Sequence, residues 1–139
     1  MRSLLAISLL VLSLGCNSAK KMQTSSGELN GTWLPVREEI GGKPLPSAAY
    51  AQQRLTLTDG KYTLVAESVD KGDVTISGNK IDIYGKEGVN AGKHFTAIYK
   101  YEKDQLTICY NLSGDAYPKT FETAGKPMYF LSVFKREGK

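Results

Sequence analysis

A chain of 139 residues, 41% hydrophobic and 23% charged, has room for one domain and an ordinary globular composition, which argues against intrinsic disorder and against a membrane-spanning bundle. Its formal charge of +4 is small, and the basic excess is scattered through Lys20, Lys21, Lys135, Arg136 and Lys139. No basic stripe with interleaved aromatics is present, so nucleic acid is not an expected partner.

The N-terminus carries Arg2 and then an apolar run from Leu4 to Leu14. That is the layout of a signal peptide, and the run is well short of the ~20 residues that span a bilayer. It ends in Leu12-Ser13-Leu14-Gly15-Cys16, which resembles the bacterial lipobox, although Ser13 and Leu14 depart from the usual Leu and small residue. The resemblance implies a lipoprotein: a signal peptide over 1–15, palmitate-like acyl chains on Cys16, and a place in the cell envelope. Each buried methylene adds ~0.8 kcal/mol, so two or more chains hold firmly where one does not. The membrane is thus the partner that Cys16 implies. Asn17 is not the Asp that retains some lipoproteins in the inner membrane, which favours the periplasmic face of the outer membrane. Losing Arg2 leaves 17 basic residues against 14 acidic ones, a charge of about +3.

From Asn17 to Gly27 the chain is polar and reads as a flexible tether, with the folded domain expected over 28–139. The first strand is predicted over Thr32 to Ile40, closed by Gly41-Gly42. Pro44-Leu45-Pro46 bars a strand, and Ser47 is placed to cap a short helical turn through Ala51. Strands follow at Arg54 to Thr58 and Lys61 to Ala66 around Asp59-Gly60, a strong two-residue hairpin signal. Two more, Asp73 to Ser77 and Lys80 to Tyr84, flank Gly78-Asn79. A Gly-rich loop over 85–92 reads as mobile. His94 to Tyr101 and Gln105 to Tyr110 pair across 102–104, and Met128 to Arg136 is the last strand. Leu55 and Leu57 alternate with polar neighbours, as do Ile81 with Ile83, and Leu106 with Ile108 and Tyr110. About eight antiparallel strands with tight turns and one wet face define an all-β, up-and-down barrel. Closure removes the free edges that an open sheet would present.

Gly31-Thr32-Trp33 resembles the Gly-x-Trp signature of lipocalin-like barrels, in which a basic residue of the last strand covers the Trp. Arg136 stands where that residue is expected, so the resemblance implies a Trp33–Arg136 closure; a cation over an indole contributes ~0.5–2 kcal/mol. A closer resemblance rests on nine short pieces in order. They are Leu29-x-Gly31-x-Trp33, Gly42-Lys43-Pro44-Leu45-Pro46, Gly60-Lys61-Tyr62-Thr63, Ile81-Asp82, Gly92-Lys93, Ile98-Tyr99, Leu106-x-Ile108-Cys109-Tyr110, Pro118-x-x-Phe121 and Lys135-Arg136-Glu137. Together they resemble a lipocalin-like domain family, without established activity, that is abundant in planctomycete bacteria. Tyr117 stands where that family has Arg, so an anion contact by that Arg is not carried over. The domain is smaller than true lipocalins and lacks their Thr-Asp-Tyr motif and C-terminal helix.

No constellation for catalysis can be assembled, and the chain is not expected to be an enzyme. His94 is the sole histidine, with no nucleophile beside it in sequence. Once Cys16 is lipidated, Cys109 is the one remaining thiol; it lies in an apolar run and reads as a buried small residue. Zinc lacks ligands, and Glu67, Asp70 and Asp73 lack the spacing of a calcium loop, so a polar hairpin is expected there and no cofactor or metal. The aromatic residues carry the functional expectation. Tyr62, Phe95, Tyr99, Tyr101, Tyr110 and Phe130 fall largely on one parity within their strands, as does Phe134. They would suit a pocket for a small hydrophobic or amphiphilic ligand. The alternative is a solid barrel that docks another envelope protein through an exposed apolar patch near 116–118 or Val89, since eight strands are just wide enough for side chains to fill.

Overall fold

The computed structural model describes residues 26–139; the expected signal peptide, Cys16 and most of the expected tether lie outside the described residues. A 3-10 turn at Ser26–Leu29 takes in the last two residues assigned to the tether and leads into the strands. These are β1 (Gly31–Ile40), β2 (Lys43–Pro44), β3 (Arg54–Thr58), β4 (Lys61–Val65), β5 (Val69–Ser77), β6 (Lys80–Glu87), β7 (His94–Glu102), β8 (Gln105–Asn111) and β9 (Tyr129–Arg136). Each of β3 to β9 pairs antiparallel with its sequence neighbour. β1 pairs with both β3 and β9, so eight strands close into a barrel, and β2 is a two-residue stub on β1.

Turn chemistry explains the connectivity. Asp59 and Gly60 both have positive φ, 47° and 77°, the backbone that a two-residue hairpin needs to match strand twist. Lys103 and Asp104 do the same between β7 and β8. The alternation read from the sequence holds: Leu55, Leu57, Ile81, Ile83, Leu106 and Ile108 all face inward and are buried in one cluster with Trp33.

Several local expectations are corrected. Pro44 does sit in a strand, because β2 is an outer stub whose next donor, the Leu45 N–H, reaches the Glu38 carbonyl at 2.9 Å. Ser47 caps nothing: Pro46 holds the cap position of a three-residue 3-10 turn, Ser47–Ala49. β5 begins four residues earlier than predicted and β6 runs three further, as ladders on both sides override weak local propensity. The Gly-rich stretch is not a free loop. Gly85 donates to the Lys93 carbonyl and receives the Gly92 N–H, both at 2.9 Å. A Cβ at Gly85 would stand 1.8 Å from the Asn90 carbonyl oxygen, so only glycine lets the segment fold back.

One end of the barrel is shut. Leu29 and Trp33 are fully buried there, and the Trp33 indole N–H donates to the Leu29 carbonyl at 2.9 Å. Trp33 lies opposite Arg136 in the β1–β9 register, and the guanidinium carbon sits 4.2 Å from the Trp33 ring centre. The same guanidinium donates to the carbonyls of Asn30 at 2.7 Å and Glu28 at 3.0 Å. Gly31 has φ +142°, and a Cβ on it would come within 2.4 Å of Arg136 Nη1. The Gly-x-Trp spacing therefore has a local reason: the glycine clears the path of the arginine.

The segment 112–128 folds across the outer face of the barrel. It covers Ile98, Cys109 and Leu131 with Tyr117 and Phe121. Thr123, fully buried, pins it by donating to Glu39 Oε1 at 2.7 Å and accepting the Gly42 N–H at 2.9 Å.

Candidate functional site

The barrel is hollow. A cavity of about 160 Å³ lies inside it, walled by aliphatic side chains of β3 to β6 and β8 and by Tyr62, Phe95, Tyr110, Phe130 and Phe134. That is the size of an engineered apolar cavity that admits benzene and is below the ~300 Å³ of pockets for drug-sized ligands.

Four polar residues reach this space: Glu38, Gln53, Asp70 and Asn90. Glu38 is near the end of β1, Gln53 precedes β3, Asp70 is near the start of β5, and Asn90 follows β6. In an antiparallel meander these positions share one end, opposite Trp33. The sequence reading missed all four. Glu38 faces inward because of a bulge: Pro35 lies opposite Phe134 while Arg37 lies opposite Val133, which leaves Val36 as the extra residue. Strict alternation from Trp33 would have sent Glu38 to solvent. Pro35 in mid-strand is the only sequence signal for the bulge. Asp70 belongs to a strand rather than to the polar hairpin expected from Glu67, Asp70 and Asp73, and it is only 4% exposed.

Both Asp70 oxygens are engaged. Oδ2 accepts from the Tyr62 hydroxyl at 3.2 Å and from Asn90 Nδ2 at 2.6 Å, and Oδ1 accepts the Asn90 backbone N–H at 3.3 Å. Asp70 thus ties the folded-back segment to the barrel. Burial, then the charge of Asp70 and the bond to it, push the Tyr62 pKa up to about 12, so the phenol remains a donor. Glu38 is 2% exposed, and its Oε1 accepts from the buried Ser132 hydroxyl at 3.2 Å. Burial raises its pKa against the opposing hydrogen bonds of Ser132 and Gln53.

This shift has a sign that can be measured. The folded-state value lies above the unfolded one, so the Glu38 contribution to stability is fully present below the unfolded value of about 4.3 and is lost as pH rises through the folded value. Urea midpoints of wild type and Glu38→Gln, taken across that window, are expected to diverge, wild type falling with rising pH relative to the variant. Parallel curves would show that Glu38 titrates alike in both states.

Of the aromatic residues singled out from sequence, Tyr62, Phe95, Tyr110 and Phe130 line the cavity. Tyr99 and Tyr101 do not. β7 runs from the polar end towards the shut end, so its successive inward side chains approach Trp33. Tyr101 meets the Trp33 ring edge-on at 5.6 Å, and Tyr99 is buried in the same cluster.

The remaining chemistry-bearing residues lie outside the cavity. His94 Nε2 and Asp82 Oδ1 are 2.7 Å apart, the Tyr117 hydroxyl donates to Asp82 Oδ2, and the His94 ring stacks on Tyr84 at 4.5 Å. Lys80 Nζ lies 4.9 Å from the Tyr117 ring centre. The bond to Asp82 raises the Tyr117 pKa, and burial adds to it. This cluster holds the segment around 117 against β6 and β7, and Pro118 is buried beneath it, so the stretch 116–118 is not a free apolar patch. Val89 is 69% exposed, as are Val65 at 40% and its ladder partner Val69 at 48%.

Cys109 is fully buried on the outer face, and burial pushes its thiol pKa up to about 11, with Lys126 opposing and Glu39 reinforcing the shift. A thiol reagent near neutral pH is expected to label it only as fast as the domain opens, with labelling accelerating in denaturant. Rapid native labelling would contradict this placement. Among the described residues no three His, Cys, Asp or Glu side chains are grouped to hold a metal ion. No described helix is long and apolar enough to cross a membrane.

The fold and site define the class as a closed eight-stranded β-barrel with an internal apolar cavity. No family model matches the chain, and no curated protein is significantly similar to it.

Proposed function

We propose that this is a non-enzymatic binding module of the lipocalin-like kind, anchored in the cell envelope through lipid on Cys16, that holds a small hydrophobic or amphiphilic ligand inside its barrel. The single observation that carries the reading is the cavity of about 160 Å³, apolar along its walls and polar at one end. Such a space takes one ring or a short chain rather than a long acyl tail. The non-enzymatic part is supported by the burial of Cys109, which keeps its thiol from solvent. The docking alternative has less support, because segment 112–128 already occupies the outer face around Ile98 and Cys109.

Native mass spectrometry of the protein purified from its own host tests the reading. The expected spectrum contains an adduct of one small organic molecule that is lost on unfolding. A ligand-free mass, together with a barrel found filled by its own side chains, would overturn it.

A further inference from the structure

The charges around the cavity bear on what it would select. The chain carries more basic than acidic residues, yet no Lys, Arg or His lines the cavity while two carboxyl groups do. Those two acids are not equivalent. Asp70 is committed to Tyr62 and Asn90 through both oxygens. Glu38 accepts a 3.2 Å bond from Ser132 and is also hydrogen-bonded to the Gln53 side chain, with no contact to a charged group among the described residues. On the inner surface Glu38 lies opposite Ser132, and Phe130, the next inward residue of β9, lies opposite Tyr110. The Tyr110 and Phe130 ring centres are 5.7 Å apart, tilted by 34°. A carboxylate in an apolar space that has aromatic walls and no positive charge favours a cation and opposes an anion.

We propose that the cavity selects a small apolar amine, its ring or short chain against the aliphatic wall and its ammonium group paired with Glu38 at the polar end. This rests on the binding reading above and narrows it: carboxylate ligands such as fatty acids are excluded. The polar groups that act on Glu38 or share its cavity are Gln53 ahead of β3, Tyr62 on β4, Asp70 on β5, Asn90 after β6, Tyr110 on β8 and Ser132 on β9. None of them supplies a positive charge to neutralise it, so a bound ammonium would do so.

Three probes of similar shape separate the possibilities: cyclohexylamine, cyclohexanol and cyclohexanecarboxylate. Each is titrated into the purified full chain at mildly alkaline pH, where an alkylamine is still protonated, and followed through the methyl signals of Ile81, Ile83 and Ile108. The amine is expected to bind at least about tenfold more tightly than the alcohol, a difference of ~1.4 kcal/mol, and the carboxylate more weakly than either. In Glu38→Gln the amine is expected to lose its roughly tenfold advantage over the alcohol measured in the same variant. Alcohol binding as tight as amine binding, or a Glu38→Gln variant that keeps the preference, would overturn the amine proposal and leave the binding reading standing. If no probe moves the methyl signals, both fall. The wild-type ordering decides the matter even if the variant does not fold.

Discussion

Arg136→Ala is expected to destabilise the domain by about 3 kcal/mol or more, a large effect for a partly exposed side chain. Two hydrogen bonds from a charged group, to Asn30 and Glu28, are worth ~1.5–3 kcal/mol each when well shielded, and the stacking over Trp33 adds ~0.5–2 kcal/mol. Partial exposure argues for the lower end of that range. Trp33→Ala removes the largest fully buried side chain, for which ~3–5 kcal/mol is usual. Small domains have ~5–15 kcal/mol in all, so this variant is expected to be marginally folded at best. The two residues join the first strand to the last, and their losses should overlap. The double variant is expected to fall short of the sum by ~0.5–2 kcal/mol. Urea unfolding of the four proteins is the measurement. An Arg136→Ala midpoint matching wild type would reduce the arginine to a solvated surface charge.

Val74→Phe is expected to be tolerated and to weaken ligand uptake. Adding bulk to a filled core costs ~1–3 kcal/mol through strain, but Val74 faces the cavity. Occupying a third of about 160 Å³ would relieve ~1 kcal/mol at ~24 cal/mol per Å³. The melting temperature should therefore hold or rise by a few degrees. Binding of cyclohexanol should weaken at least about tenfold. Loss of stability with binding intact would mean that the empty space lies elsewhere, or that the barrel is already full.

The strands most legible in the sequence were those with plain alternation between unambiguous turns. Arg54 to Thr58 is legible to the residue, because Leu55 and Leu57 oppose three polar side chains and Asp59-Gly60 ends the run. The closing pair was legible too, since Gly31, Trp33 and Arg136 each have a local reason for their identity. The polar end of the cavity was not. Glu38 reaches the interior through a one-residue bulge that shifts parity along β1. Asp70 and Asn90 sit among Gly, Lys and Asp, residues that speak for a loop; the β4–β5 ladder holds Asp70, and Asp70 in turn holds Asn90. The aromatic pattern gave the inner face correctly but not depth along the barrel. Tyr62 and Tyr110 line the cavity while Tyr101 packs on Trp33, and parity alone cannot separate the two.

A crystal of the protein pressurised with xenon probes the hollow directly, since the gas enters dry apolar space and ignores a packed core. Density for an atom enclosed by Leu55, Ile83, Ile108 and Phe134 is the expected result. A barrel whose side chains meet across that space, with no xenon between them, would contradict it.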